Sequence, residues 1–329
     1  MPPKDFIFFS YSFDKEGKAV KLKNNEVAQE LKSKELSWAH LDGNNSESKV
    51  WLKKNVDYLD HLIIEALFAE ETRPRIIEFD SGILIILRGI DGGSSYGSNG
   101  MASIRLWIDQ SRIVSIQKRN FSSAFDLAQS IELGHKIRNS GEFLYNLIYE
   151  ILHSTAQAIS SFDEKLDAIE AILSGKNYNK SLRENVITIR KQTTIFKRYM
   201  LPQKEVITVL KTKQKKWIND WAIRHFLENQ EQITHIIEEL DEAKERAQII
   251  HDEVYNAIAD KVNKSMFKIS LIASIFMPLS FVAGLFGMNV GGIPGENNPM
   301  GFYAIVYFLT IAFGVAFVTL KRKKWFRNL

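Results

Sequence analysis

Two uninterrupted apolar runs lie at the C-terminal end of a chain that is otherwise polar. Charged residues recur every few positions up to about Lys268, whereas residues 269–288 and 301–320 contain none. Each run of 20 residues is long enough to cross a hydrocarbon core of about 30 Å as an α-helix. The pattern therefore predicts two membrane spans that follow a large polar body.

Residues 1–140 show the short apolar runs and turn residues of a mixed α/β domain. Runs rich in Ile, Phe and Val predict strands at Phe6–Ser12, Ser37–Leu41, Arg75–Phe79, Gly82–Ile90, Ser103–Ile108 and Ile113–Ile116. Apolar residues at helical spacing predict helices at Glu47–Asn55 and Tyr58–Glu70. The glycine-rich segment Asp91–Gly100 lacks the Gly-Lys-Ser/Thr of a phosphate-binding P-loop, so it is predicted as a hairpin loop.

Residues 141–268 are predicted to form long stalk helices. The predicted helices are Gly141–Leu173, Ser181–Thr212 and a third one that begins near Trp217. Residues 174–177 carry the cap and turn signal that ends the first, and Pro202 predicts a kink or break in the second. The third contains no glycine or proline before Pro278.

Apolar residues recur along the third helix at steps of three and four, with Lys244 and His251 interrupting the seam. They are Ile233, Ile237, Leu240, Ala247, Val254 and Ile258. If this helix continues into the first span, about 70 residues make a rod of roughly 100 Å. Such a rod needs packing partners along its length, so the spacing predicts assembly and not a monomer.

Composition excludes several classes of function. The formal net charge of +4, from 43 basic and 39 acidic residues, indicates no particular partner. There is no cysteine, which excludes disulfide scaffolds, thiolate zinc sites and cysteine nucleophiles. No nucleophile–base pair, P-loop or catalytic metal motif occurs, so neither an enzyme nor a bound cofactor is predicted. The basic run Lys211, Lys213, Lys215 and Lys216 is interpreted as a solvated helix face, so no nucleic-acid partner is predicted.

Basic residues flank the two spans on one side only. Lys261, Lys264 and Lys268 precede the first span, and a basic tail, residues 321–329, follows the second. The connecting loop, residues 289–300, has no basic residue and a single acid, Glu296. The positive-inside rule therefore predicts a multi-pass protein of the cell (inner) membrane, with both termini cytoplasmic.

One face of the first span carries small and polar residues. Steps of three and four give Asn263, Met266, Ser270, Ala273, Met277, Ser280, Gly284 and Gly287. A ring of such helices could enclose a water path, whereas the alternative is ordinary packing of membrane helices through small residues. The second span shows no such stripe and is interpreted as a peripheral helix.

Neither span contains Asp, Glu, His, Lys or Arg, so no intramembrane proton relay of the usual kind is predicted. A cation must then pass by contacts to hydroxyls, amides, backbone carbonyls and its own water, which suits a hydrated divalent ion. The C-terminal carbonyls of the first span, together with Glu296, would attract cations to the mouth.

The sequence Gly287-Met288-Asn289 closes the first span, after Met277–Phe281. In this setting the whole chain resembles the CorA-type metal ion transporter superfamily. The segments Gly291–Gly295, Thr72–Arg75, Ile189–Gln192 and Arg198–Gln203 resemble its ZntB-type zinc transporter branch. The Met-Pro-Glu-type loop that is usual in the magnesium transporters is absent.

The resemblance implies an α+β cytoplasmic domain (residues 1–140), long stalk helices (141–268) and two C-terminal transmembrane helices, assembled as a homopentameric funnel. It implies that the ring of Gly287, Met288 and Asn289 receives the hydrated ion, with Asn289 as the principal contact. The implied pore lining is Asn263, Met266, Ile269, Ala273, Met277, Ser280 and Gly284, with Ile269 as an apolar gate beside Ser270. The implied cargo is Zn²⁺, and any proton coupling would involve the cytosolic funnel or the mouth.

Two alternatives stay open: a magnesium, cobalt or nickel channel on the same architecture, and a membrane-anchored coiled-coil scaffold whose spans only anchor it. His251, Asp252 and Glu253 form a candidate cytosolic metal site, for which a solvated or subunit-bridging charge cluster is the alternative. The seven histidines include no HxxxH pair, so no zinc ligand set can be derived from spacing.

Overall fold

The computed structural model describes residues 6–70, 73–92, 100–174, 180–212, 215, 217–293 and 298–322. The chain divides into two compact units, Met1–His251 and Asp252–Leu329. Several predicted features lie outside the described residues: the interior of the 91–100 loop, residues 175–177, Lys213, Lys216 and the tail from residue 323.

A seven-stranded mixed sheet forms the centre of the N-terminal unit. Its strands are β1 Ile7–Phe13, β2 Ala19–Lys21, β3 Leu36–Asp42, β4 Arg75–Glu78, β5 Ile83–Ile90, β6 Met101–Ile108 and β7 Arg112–Gln117. Their spatial order is β2-β1-β3-β7-β6-β5-β4, and all neighbours are antiparallel except β3 and β7, where Trp38 pairs with Ile113. The predicted 91–100 hairpin is confirmed, because β5 and β6 pair along their whole length and Asp91 N–H donates to Gly100 O at 3.2 Å.

Helices cover both faces of this sheet, which is why β6 is buried at every position. The first helices are α1 Val27–Glu30, α2 Ser46–Asn55, α3 His61–Phe68, α4 Ser122–Glu132 and α5 Ser140–Ser174. On one face, residues of α1, α2 and α3 share a core with Leu84, Trp107 and Ile116. On the other, Phe143 of α5 packs edge-on to Trp38 at 4.7 Å between ring centroids.

Two further helices are α6 Lys180–Thr212 and α7 Asp220–Phe286. The predicted break at Pro202 is wrong, because Pro202 lies inside an uninterrupted α6. Buried neighbours hold the helix in place: Met200 is fully buried, and the buried Gln203 side chain accepts a hydrogen bond from Arg88 N–H at 2.7 Å. Such packing offsets the hydrogen bond that proline removes.

The apolar seam of α7 is buried within this one chain. Ile233, Leu240 and Ala247 are all fully buried. Arg246 of α7 donates to Asp167 of α5 at 2.7 Å, and Lys197 of α6 pairs with Asp241 at 2.6 Å. The chain's own helices therefore satisfy this part of the seam. In this segment the spacing does not by itself require a second copy.

The C-terminal unit contains the end of α7 and the helix α8 Gly301–Arg322. Both helices contain stretches long and apolar enough to cross a membrane, and almost none of those stretches is buried. The α7 helix runs through Pro278 without interruption. Rings of Phe276 and Phe313 approach to 6.2 Å and join the two helices.

Candidate functional site

The membrane-length part of α7 has one face that packs against α8. Its least exposed positions are Leu271, Ile275, Leu279 and Val282, spaced by four, four and three residues. The least exposed positions of α8 follow a matching stripe through Ile305, Leu309, Ala312 and Ala316. Because these spacings keep side chains on one side of a helix, each helix turns a single apolar face to the other.

The predicted pore residues lie on the opposite side of α7. At about 100° per residue, Ala273, Met277, Ser280 and Gly284 project roughly 140–200° away from Ile275. All the predicted pore-lining residues are exposed in the single chain, and this set is Asn263, Met266, Ile269, Ser270, Ala273, Met277, Ser280 and Gly284. The single chain therefore leaves uncovered a face whose side chains are small, polar or flexible.

Gly284 lies in open space on this face. A Cβ atom added there would meet no heavy atom within 4 Å. Contacts within the chain therefore do not require glycine at this position, although glycine in a helix interior destabilises the helix by about 1 kcal/mol relative to alanine. The small size of Gly284 therefore has no role in packing within the single chain.

The helix α7 ends at Gly287-Met288-Asn289. Gly287 N–H donates to Ala283 O at 3.0 Å, and Met288 N–H donates more weakly to Leu285 O at 3.4 Å. The carbonyls of the last turn have no further turn to accept from, so they carry the partial negative charge of a helix C-terminus. Asn289 is exposed beside them and adds an amide oxygen. Oxygen atoms of this kind suit a hydrated divalent cation.

Met288 and Asn289 occupy different surroundings. A groove of about 770 Å³ separates the end of α7 from the start of α8, and Phe286, Met288, Ile293 and Phe302 are among the residues that line it. Asn289 is not among them. The other side of the groove is fixed by Asn298, whose side-chain oxygen accepts from Met300 N–H at 2.9 Å at the start of α8. Met288 thus lines the groove. Asn289 lies outside the groove and is the motif residue that offers a polar side chain.

The predicted mouth residue Glu296 lies outside the described residues, as do Pro294, Gly295 and Thr72 of the motifs that carried the resemblance. Their placement stays a prediction.

The predicted cytosolic metal set is not brought together within one chain. His251, Asp252 and Glu253 are consecutive on α7, so their side chains diverge by about 100° each. Across the described ranges, no group of three or more His, Asp or Glu side chains is arranged to hold a metal ion. A metal site on these residues stays a prediction that depends on ligands from a second subunit.

His40 belongs to the core of the sheet. It is fully buried among the rings of Phe8, Phe9 and Phe125, and its Nδ1 lies 2.7 Å from Ser115 Oγ. Burial lowers the pKa of His40 to about 4, so the ring is neutral at neutral pH. No local sequence signal indicates this environment, because His40 falls inside an ordinary strand pattern.

Comparisons with known proteins cover nearly the whole chain. The family model described as CorA-like Mg²⁺ transporter protein matches residues 33–322. The zinc transport protein ZntB of Yersinia enterocolitica is 30% identical over 318 residues, covering 96% of this chain and 95% of that protein. The divalent cation transporter CmaX of Pseudomonas aeruginosa is 27% identical over 299 residues, covering 90% of each. The solved structure of full-length CmaX gives a TM-score of 0.78 at 25% identity, covering 99% of this chain and 100% of that one.

Proposed function

Because this chain belongs to the family of CorA-like Mg²⁺ transporter proteins, which are divalent cation transporters, we propose that it carries Zn²⁺ across the cell (inner) membrane. The path is a pore lined by the first membrane span of each subunit. Both termini are cytoplasmic in this proposal, since the basic residues lie at the end of the spans away from the Gly287-Met288-Asn289 motif.

The uncovered face of α7 is the observation that carries the proposal. It lies opposite the face that packs against α8, it carries no charge from Ile269 to Phe286, and it ends beside Asn289. One hairpin of two helices cannot enclose a water path. Several copies, arranged with this face inward, would surround one with hydroxyls, small residues and backbone. A homopentamer meets this requirement.

Zinc is supported by the ZntB relative and by the loop after Asn289. The Gly291-Gly292-Ile293 segment contains no acidic side chain, and residues 289–300 contain only Glu296. The mouth thus has few hard anionic ligands of the kind that Mg²⁺ prefers. Proton coupling, where it occurs, involves the cytosolic funnel or the mouth, because the spans contain no Asp, Glu, His, Lys or Arg.

A second candidate is a magnesium, cobalt or nickel channel of the same architecture. The description of the matching family as Mg²⁺ transporters favours it. The spans also lack the His and Cys ligands by which zinc is usually selected. Both candidates use the same uncovered face, so they differ only in selectivity.

Ion uptake into liposomes that contain the purified full chain tests the proposal. Zn²⁺, Mg²⁺, Co²⁺ and Ni²⁺ are compared with and without an imposed pH gradient. We expect Zn²⁺ flux to exceed the others. Magnesium flux well above zinc flux would favour the second candidate, and the absence of flux for all four ions would contradict the pore.

A further inference from the structure

Five basic side chains lie at the same end of the two candidate spans. Lys261, Lys264 and Lys268 are exposed on α7, and Lys321 and Arg322 are exposed at the end of α8. No ion pair joins any of the five to another described residue. The nearest carboxylate in sequence is Asp260, and residues 261–293 and 298–322 contain no other acid. This group, the basic collar, therefore has an excess of positive charge that no described residue neutralises through an ion pair.

The contact between Phe276 and Phe313 places the lysines of α7 and the basic end of α8 at the same depth in the membrane. Their ring centroids are 6.2 Å apart, so these two residues share one depth in the antiparallel hairpin. Lys268 precedes Phe276 by eight residues, and Lys321 follows Phe313 by eight residues. At 1.5 Å per residue both lie about 12 Å below the contact. The two basic segments therefore end at the same plane.

The three lysines of α7 occupy one side of the helix. At about 100° per residue, Lys261, Lys264 and Lys268 fall within an arc of roughly 60°. Leu271, which is only 4% exposed, lies about 20° beyond this arc on the Lys264 side. Met266 and Ser270 project roughly 120–200° away from Lys264. The lysines thus extend the face that meets α8, away from the proposed pore.

Apolar side chains border the collar. Phe267 is 43% exposed and Ile272 is 57% exposed, and they flank the lysine arc on its two sides. The charge-free part of α7 begins directly after Lys268. A lysine at such a boundary places its stem along apolar surface and its ammonium group in the headgroup layer. Cationic and apolar surfaces therefore meet at the depth where lipid phosphates and acyl chains meet.

We propose that the basic collar binds the phosphodiester headgroup of an anionic phospholipid, with the lysines of α7 and the end of α8 on either side of the phosphate. Clustered Lys and Arg next to a membrane helix attract anionic lipids, and basic pockets between such helices hold their headgroups. The exposed Ile272 favours a lipid over free phosphate, since free phosphate has no acyl chain to cover it. The proposal rests on the proposed function in one respect, the insertion of α7 and α8 in a bilayer.

Lipid binding to the purified full chain in a zwitterionic detergent tests the collar. The probes are phosphatidylglycerol, phosphatidylcholine and inorganic phosphate, and bound lipid is counted by native mass spectrometry. The test variant is Lys264→Gln with Lys268→Gln and Lys321→Gln. Its matched control removes the same charge at exposed positions of the N-terminal unit, as Lys32→Gln with Lys191→Gln and Lys244→Gln. A charge-retaining variant, Lys264→Arg with Lys268→Arg and Lys321→Arg, shows whether substitution at these positions disturbs folding.

We expect the wild-type chain, the control and the arginine variant to retain phosphatidylglycerol, and the test variant to lose about tenfold in affinity. Phosphatidylcholine should not be retained, and inorganic phosphate in large excess should not displace the lipid. Equal retention by the test variant, equal loss in the control, or displacement by inorganic phosphate would each overturn the proposal.

Zinc flux separates this site from the proposed function. The test variant should still transport in liposomes of phosphatidylcholine alone, because the collar lies outside the pore. Loss of lipid binding with flux retained supports a separate site. Absence of flux in the wild-type chain, with lipid binding intact, would overturn the proposed function and leave the lipid site standing.

Discussion

Asn289 is the first side chain beyond the end of α7 that offers an amide oxygen to an approaching ion. It is exposed, and the neighbouring Met288 lines the groove beside α8. A hydrated divalent cation can exchange hydrogen bonds from its water for this oxygen without being stripped of its shell. At Asn289 itself, contact with the ion would depend on the placement of this oxygen and not on a side-chain charge.

Replacing Asn289 with Ala should reduce metal flux by about tenfold or more, because the ring loses its amide oxygens at the entrance. The oligomer should remain intact, since Asn289 makes no packing contact that α7 needs. Uptake into liposomes and native mass measure the two effects. Val290→Ala, at the adjacent and likewise exposed position, is the control and should transport normally. Unchanged flux in Asn289→Ala would remove the assigned role of the motif.

His40 predicts a pH dependence of stability. Its pKa is lowered by burial to about 4 from an ordinary value of 6.5, so the unfolded chain binds a proton at pH values where the folded chain does not. The contribution of His40 to the free energy of unfolding is therefore fully present above pH 6.5. It decreases as the pH falls toward 4 and changes no further below that value. The difference between the two pKa values corresponds to a loss of at most about 3 kcal/mol.

Urea unfolding of the full chain in detergent, followed by tryptophan fluorescence between pH 7.5 and 4, measures this loss. His40→Gln should remove most of the pH dependence, whatever its effect on stability at neutral pH. His135→Gln, at an exposed position, is the control for the replacement of a histidine by glutamine. A wild-type stability that does not fall between pH 6.5 and 4 would show that His40 is protonated in the folded chain.

At the scale of elements, α7 has one face packed against α8 and one uncovered face. Two glycines, one on the uncovered face of α7 and one on α8, allow the role of the uncovered face to be tested. Gly284 of α7 and Gly314 of α8 both lie in open space within the chain, since a Cβ atom added at either position meets no heavy atom within 4 Å. We expect Gly284→Leu to block flux, because it places a bulky side chain on the face proposed to line the pore. Gly314→Leu should transport normally.

Flux into liposomes and the amount of folded oligomer are measured for both glycine variants. Leucine favours a helix over glycine by roughly 1 kcal/mol, so neither variant should unfold the spans. Equal flux in the two variants would contradict the assignment of the α7 face to the pore.

The strongest elements of the fold could be predicted because their signals are local. The two spans are charge-free for 20 residues, and β5 and β6 are near-continuous apolar runs. The prediction of a third stalk helix that continues into the first span is confirmed by α7, which contains no glycine or proline between Asp220 and Met277. Boundaries differ by up to three residues, since a helix or strand end depends on capping contacts that spacing does not show.

Other elements were missed for physical reasons. β2 has three residues, all partly or fully exposed, and it exists through pairing with β1. The helix α4 was overlooked although Ala124, Leu127 and Ile131 form a buried stripe; its N-cap is Phe121, which offers no side-chain cap. The continuity of α6 through Pro202 depends on tertiary packing, which no local pattern contains.

Within the candidate site, the sequence could predict the stripe on α7 but not what covers each face. Spacing alone could not decide between a pore lining and a surface for helix packing. The structure places Leu271 and Ile275 toward α8 and leaves Ser280 and Gly284 uncovered. The seam of α7 shows the opposite outcome, because the partners of Ile233 and Leu240 come from the same chain. Assembly is therefore argued from the spans and not from that seam.

At the scale of the whole molecule, we expect five copies to assemble. A purified chain of 37.8 kDa should give a native mass five times that value, with little monomer. The uncovered faces of α7 would otherwise contact lipid, where the hydroxyl of Ser280 would have no polar partner from another helix. Native mass spectrometry from mild detergent measures the mass, with Asn289→Ala as a variant that should give the same value. A predominant monomer or dimer would contradict a central pore.

Because Lys268 and Lys321 lie at the same depth, the two spans together set a defined hydrophobic thickness for the surrounding bilayer. From Ile269 to Phe286, α7 contributes 18 residues between Lys268 and the motif, a hydrophobic length of about 27 Å. That length is slightly below the average hydrocarbon thickness of about 30 Å, so a thin bilayer fits it without tilt, and a thick one must be compressed locally. Because the same helix would line the ion path, a change in the thickness of the surrounding membrane is expected to change the rate at which ions pass.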